Sequence, residues 1–202
     1  INTPTNEGAH SISADGRFLY FTMCEHQGGY GNCDIYVSKR VGNEWSKPEN
    51  MGPVINTPAK ETQPCISADG MALYFVSSRP GGFGKLDIWM TYKKPDGTWG
   101  NPINMGREIN SPGIDERPFI HPDNNTLYFA TDGRRGFGNA DIFFARRHAL
   151  GSKWNEAENM GFPINSFYYE GGIYVSTDGE KGYFATERMN PDFQLDIFEF
   201  AI

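Results

Sequence analysis

Long apolar runs are absent from this 202-residue sequence. No stretch approaches the roughly 18 residues that a membrane-crossing helix requires, so no helical span is expected. No leader peptide and no initiator Met open the chain, which is expected to begin at a processed or engineered boundary, with any targeting information removed. Positive charge is in deficit: 18 Lys and Arg against 25 Asp and Glu give a formal net charge of −7. An acidic surface repels phosphate backbones, so nucleic acid is not an expected partner. Cysteine is scarce, with only Cys24, Cys33 and Cys65. Cys24 and Cys33 flank a short loop between two expected antiparallel strands, and spacing alone leaves a bridge or two free thiols open. Cys65 falls inside an expected strand and reads as a small buried apolar residue. A sustained 3.6-residue apolar period is also missing, which argues against helix.

What is present is turn-forming and aromatic. The chain holds 24 Gly and 13 Pro, and aromatic residues make up 14 % of it. That composition suits many short strands over an apolar core rather than disorder. Self-similarity fixes the arrangement. Ile1-Asn2-Thr3-Pro4, Ile55-Asn56-Thr57-Pro58, Ile109-Asn110-Ser111-Pro112 and Ile164-Asn165-Ser166 start four repeats, at steps of 54, 54 and 55 residues. Each start is followed by an acid (Glu7, Glu61, Asp115, Glu170) and then by a turn at Asp15-Gly16, Asp69-Gly70, Asp123-Asn124 or Asp178-Gly179. Next come Tyr20-Phe21, Tyr74-Phe75, Tyr128-Phe129 and Tyr183-Phe184, and then Asp34-Ile35, Asp87-Ile88, Asp141-Ile142 and Asp196-Ile197. Trp45, Trp99 and Trp154 each lead into Asn-Met-Gly.

Each repeat reads as a four-stranded antiparallel meander. The first strand lies around Ser11–Ser13 or Cys65–Ser67 and ends at the Asp-Gly turn, which supplies positive φ for a tight hairpin. The second carries Leu-Tyr-Phe, a glycine-rich loop follows, the third is Asp-Ile-aromatic, and the fourth runs from Trp to Met-Gly. Such a sheet cannot cover both its faces alone, whereas blades set around an axis cover one another. The expected fold is therefore an all-β propeller, one domain over residues 1–202 with repeats at 1–54, 55–108, 109–163 and 164–202. The repeated Tyr-Phe and Trp residues are expected to pack between blades.

The pattern Ile-Ser-Ala-Asp-Gly-x-x-Leu-Tyr-Phe, then Gly-Gly-Phe-Gly-x-x-Asp-Ile, then Trp and Asn-Met-Gly, resembles the TolB-type, WD-like propeller repeat over essentially the whole chain. With its long repeat and glycine-rich loop it looks most like propellers of OmpA-family outer-membrane lipoproteins. There such propellers stand between helical repeats and a peptidoglycan-binding domain, and some serve type IX secretion. The resemblance implies a periplasmic, outer-membrane-associated module that binds envelope proteins or peptides. The fourth repeat departs from the pattern. It stops after Asp196-Ile197-Phe198 without the Trp strand, carries Gly171-Gly172 in its first strand, and replaces the glycine-rich loop by Met189-Asn190-Pro191-Asp192-Phe193. The last blade is expected to be incomplete, in a four-bladed ring or part of a larger one.

Two sets of residues carry the chemical expectations. Glu7, Glu61, Asp115 and Glu170 would either accept hydrogen bonds from a neighbouring blade's backbone or line a channel mouth around a structural cation such as calcium, or a basic peptide. Arg79, Arg134, Arg135 and Arg188, with the aromatics Tyr30, Phe83 and Phe137, fall in loops between second and third strands and are candidates for partner binding. The recurring Asp34, Asp87, Asp141 and Asp196 are expected to bond the N–H groups of the glycine-rich loops, and no following helix favours a phosphate-cradling role for those loops. His10, His26, His121 and His148 fall at unrelated repeat positions without metal-ligand spacing. Acids that recur in every copy do not make an active site, which needs a break in symmetry. The expectation is a non-catalytic, cofactor-free protein-binding scaffold. Binding of carbohydrate or peptidoglycan fragments is the first alternative, and a glycoside hydrolase using channel carboxylates the second.

Overall fold

Strand and turn account for all the regular structure in the computed structural model, which describes residues 6–189 and 194–201. Among these residues there is no helix, and so none long and apolar enough to cross a membrane. The chain divides into two compact units, residues 1–82 with 87–105 and residues 83–86 with 106–202. Each holds two antiparallel meander sheets.

In the first unit, β1 (Asn6–Ile12), β2 (Phe18–Cys24), β3 (Cys33–Val41) and the two-residue strands β4 (Glu44–Trp45) and β5 (Glu49–Asn50) make one blade, with β4 and β5 both on β3. Its second blade is β6 (Glu61–Ile66), β7 (Ala72–Ser77), β8 (Asp87–Tyr92) and β9 (Ile103–Asn104). The second unit holds β10 (Asp115–Ile120), β11 (Thr126–Thr131), β12 (Asp141–Arg146) and β13 (Glu158–Asn159), and then β14 (Glu170–Val175), β15 (Lys181–Thr186) and β16 (Asp196–Ala201). The expected all-β propeller of four blades is what forms, and its last blade has three strands. The repeat start at residues 1–4 and most of the replaced loop, residues 190–193, lie outside the described residues.

Two strand boundaries differ from the sequence expectation. The first strand of blades two to four starts at the acid itself, six residues long, because a bulge interrupts it: the register shifts between Thr62 and Cys65, Glu116 and Phe119, and Gly171 and Ile173. The bulged residues Gln63, Arg117 and Gly172, with Ala9 in the first blade, have φ of 53°, 53°, 51° and 42°. One extra residue in left-handed conformation breaks the alternation by which a strand is recognised. The fourth strand is split. Trp45 pairs in β4, while Trp99 and Trp154 make single bridges, and only two residues pair at each Asn. Pro48 and Pro102 stand between these pieces in the first two blades and cannot donate to a ladder.

Most of the repeated aromatics are core, as their spacing implied, although Tyr183 is 37 % exposed and Trp45, Trp99 and Trp154 are half-buried. In the first unit Tyr20 and Ile35 of one blade pack with Ile66, Leu73, Phe75 and Trp89 of the next, with Ile55 between them. In the second, Tyr128 and Ile142 meet Ile173, Val175 and Phe184 around Ile164. Burying a large apolar side chain stabilises by roughly 1.5–3 kcal/mol, so these seams supply the main driving force between blades within each unit.

Direction comes from a polar network beside each seam. The Asn56 amide accepts from the Ile35 N–H (2.8 Å) and donates to the Ile35 carbonyl (2.9 Å), acting as one more strand residue. It also donates to Asn50 Oδ1, and Asn50 donates to Asp34. Asp34 in turn accepts from the N–H groups of Tyr30 (2.6 Å) and Gly31 (3.1 Å) in the glycine-rich loop. Asn165, Asn159, Asp141, Phe137 and Gly138 repeat the network in the second unit. The loop lies so close to the next repeat that a Cβ on Gly31 would overlap the Ala59 carbonyl, and one on Gly138 the Tyr168 carbonyl.

Cys24 and Cys33 are Cα partners across β2 and β3 and form a disulfide. Cys65 is buried and lies outside this bridge, as its strand position indicated.

Two measurements test this account of the fold. Asn56→Ala strands the buried Ile35 N–H, while the Ile35 carbonyl keeps the Met51 N–H (3.1 Å), so urea denaturation is expected to show a loss of about 1–3 kcal/mol. A loss below about 0.5 kcal/mol, the level of an ordinary surface substitution, would remove the network from the account. Reducing the Cys24–Cys33 bridge should cost about 2–3 kcal/mol through the entropy of the opened loop. Thiol titration of the unreduced, denatured chain should then find Cys65 alone; three reactive thiols would contradict the bridge.

Candidate functional site

The recurring acids are anchors. Glu61 is fully buried and accepts from the Thr57 N–H (2.7 Å), Thr57 Oγ1 (2.8 Å) and Ser77 Oγ (2.7 Å). Arg79 closes the set at 3.1 Å and also donates to the Ile55 carbonyl. Glu170 repeats this with the Ser166 N–H and hydroxyl, Thr186 Oγ1 (2.9 Å) and Arg188 (3.1 Å), which also donates to the Pro163 and Ile164 carbonyls. Asp115 accepts from the Ser111 N–H (2.6 Å) and hydroxyl (3.1 Å). The backbone donors therefore sit in the loop leading into each strand, four residues upstream, rather than on a neighbouring blade. Glu7 is half-buried at the start of β1. Among the described residues, no three His, Cys, Asp or Glu side chains gather where an ion could be held.

The loop arginines divide. Arg79 and Arg188 turn inward onto Glu61 and Glu170, and their guanidinium groups also lie over Phe75 and Phe184 at 5.0 and 5.1 Å. Burial lowers the Arg79 pKa from the usual guanidinium range while the Glu61 charge pulls it back up, and the group remains a cation. Arg134 donates from one nitrogen to the carbonyls of Arg107, Glu108 and Ile109, and Arg135 is exposed. Tyr30, Phe83 and Phe137 are 46, 43 and 56 % exposed on their loops. Asp34, Asp87 and Asp141 are buried, and the N–H groups that a phosphate would need are bonded to Asp34 and Asp141 in the first and third repeats. Asp196, in the repeat without that loop, is exposed.

Symmetry breaks one residue after the acids. The equivalent positions are Gly8, Thr62, Glu116 and Gly171, so the third repeat alone places a carboxylate there. Glu116 is half-buried and accepts from the Tyr169 hydroxyl at 2.7 Å. Tyr169 occupies the position that is Asn6, Lys60 and Ile114 in the other repeats. Burial, then the Glu116 charge, raise its pKa well above the usual phenol range, so the hydroxyl stays protonated and donates. The bulged Arg117 lies over the Tyr169 ring at 5.7 Å, and Gly172 stands beside that guanidinium. A carboxylate and an arginine on β10 thus meet a locked phenol one residue ahead of β14, with Arg117 held in left-handed conformation. A search confined to residues that recur misses them, because their signal is that they do not.

No protein-family model matches the sequence. A non-reducing end α-L-arabinofuranosidase of Bacteroides ovatus, BoGH43B, is 27 % identical over 165 residues, covering 76 % of this chain and 30 % of that protein. The chain thus spans less than a third of the length of this curated relative. Among solved structures, TolB from Acinetobacter baumannii superimposes with a TM-score of 0.70 at 17 % identity, over 100 % of this chain and 42 % of TolB. An α-L-arabinofuranosidase from Lactobacillus brevis superimposes with a TM-score of 0.61 at 13 % identity, over 96 % of this chain and 72 % of that one. At these identities the structural likenesses show a shared TolB-like propeller fold. The expectation that the chain is no enzyme is corrected by the relatives themselves: the curated relative and one of these neighbours are glycosidases.

Removing Arg79 with Arg79→Met leaves Glu61 as a buried charge without its cation and is expected to cost about 3–5 kcal/mol. Adding Glu61→Gln should restore part of that loss. If the single variant unfolds at the wild-type urea midpoint, the buried pair is not the anchor described.

Proposed function

We propose that the chain is the propeller module of a carbohydrate-active enzyme of the arabinofuranosidase kind, a single domain over residues 1–202, with Glu116 as a working carboxylate. The observation that carries this reading is the coincidence of two things. The curated sequence relative is an arabinofuranosidase, and Glu116 is the residue by which one repeat differs in charge just after the anchoring acid. Glycosidic cleavage uses a pair of carboxylates around an oxocarbenium-like transition state. The protonated Tyr169 hydroxyl orients Glu116, and Arg117 adds positive charge to the same two strands.

A second reading keeps protein binding, as in the propellers of OmpA-family envelope lipoproteins, and the exposure of Tyr30, Phe83 and Phe137 favours it. The Cys24–Cys33 disulfide supports an oxidising compartment such as the periplasm under either reading.

The test is hydrolysis of 4-methylumbelliferyl α-L-arabinofuranoside and a panel of related glycosides. Glu116→Gln is expected to lower kcat/KM by roughly 10²–10⁴, the usual worth of a positioned acid or base, with the melting temperature little changed. A wild-type chain that cleaves none of the panel would sink the enzymatic reading.

A further inference from the structure

The third blade lacks the buried ion pair found in the second and fourth. Ser77, Thr131 and Thr186 pair with the acids Glu61, Asp115 and Glu170 across the first two strands of their blades. Two residues further on stand Arg79, Gly133 and Arg188. The shorter acid and the glycine remove the ion pair from the third blade, where the guanidinium of Arg134, one residue on, takes the repeat-start isoleucine carbonyl (Ile109) as Arg79 takes Ile55 and Arg188 takes Ile164. A Cβ at Gly133 would strike the Ser111 hydroxyl and the Gly113 backbone, so the position is closed to the arginine of the other blades as the chain now runs. What remains is a pocket of about 350 Å³ lined by Phe83, Arg107, Asn110, Ser111, Pro112, Gly133 and Arg134. That volume is within the range of small-molecule sites and large enough for a monosaccharide.

Its lining has a definite chemistry. Arg107 lies over the Phe83 ring at 5.1 Å and has no carboxylate within ion-pair distance among the described residues. Arg134 holds three backbone carbonyls through one nitrogen, and its Nε is buried with no hydrogen-bond partner. The carboxylate nearest Arg134 is Glu156, 4.0 Å away with a side chain 86 % exposed. Asp132, next to Gly133, is turned to the Ile114 N–H (2.6 Å). Two cations, an aromatic face and a serine therefore surround an open volume in a protein of net charge −7.

We propose that this pocket is a second glycan site, selective for a sugar that carries a carboxylate, such as a uronic acid. The sugar would pack against the exposed part of Phe83 beside Arg107, and its carboxylate would meet Arg107 and Arg134, whose planar forks suit bidentate recognition. The proposal rests on the carbohydrate reading above but uses none of the Glu116 residues.

Calorimetric titration of the whole chain with glucuronate, glucose and inorganic phosphate tests it. Glucuronate is expected to bind at least tenfold more tightly than glucose or phosphate, and Arg107→Gln, a change at an exposed side chain, should weaken it about tenfold. Phe83→Leu, also exposed, should weaken both sugars and leave phosphate unaltered. Equal binding of glucuronate and glucose, equal binding of phosphate, or indifference to Arg107→Gln would each overturn the assignment. Wild-type hydrolysis measured alongside separates the two readings: hydrolysis without glucuronate binding defeats the pocket alone, and glucuronate binding without hydrolysis defeats the Glu116 reading alone.

Discussion

One amide side chain sets the join between successive blades in each unit. Asn56 and Asn165 take the N–H of a buried isoleucine, Ile35 or Ile142, as an additional strand would, and share its carbonyl with the Met51 or Met160 N–H. Their register is fixed because the same amide is held by Asn50 or Asn159, which is held by Asp34 or Asp141. Apolar packing around Ile55 and Ile164 drives these seams together without specifying direction; the amide chain specifies it. The glycine-rich loop follows from the same constraint, since its N–H groups satisfy the aspartate and its missing side chains admit the next repeat's backbone. Motifs that look like a phosphate cradle are the fastening between one repeat and the next.

The anchoring acids add a second fastening, and their variation creates the chemistry. A glutamate reaches an arginine 18 residues on, and the pair fills the space between the leading loop and the second strand. With aspartate and glycine at those positions the ion pair is lost, Arg134 holds the isoleucine carbonyl instead, and a pocket opens beside it. Likewise, a bulge present in all four first strands carries Ala9, Gln63, Arg117 or Gly172, so the backbone device is constant while the displayed group changes. Function is read in these substitutions within a constant frame.

Much of the frame was legible in the sequence. The repeat spacing, the Asp-Gly turns, the Tyr-Phe pairs and the short last blade all have local signals, and each stands where its spacing indicated. The bulges were not legible, because Ala9, Gln63 and Arg117 are not residues that announce positive φ. Arg79 and Arg188 read as loop charges because their partners are 18 residues away and meet them only through strand register. Glu116 and Tyr169 were hidden for the opposite reason: comparing repeats for what they share discards what one repeat has alone. The enzymatic kinship lay outside the motifs as well, since residues that hold a propeller together are common to binders and hydrolases.

Hydrogen–deuterium exchange with and without an arabino-oligosaccharide tests the central claim most directly, namely that the symmetry-breaking first strands of the third and fourth repeats engage the glycan. The account predicts slowed exchange in residues 114–119 and 167–173, with the equivalent residues 60–65 of the second repeat unchanged. Equal protection of all three segments, or protection of none, would contradict it.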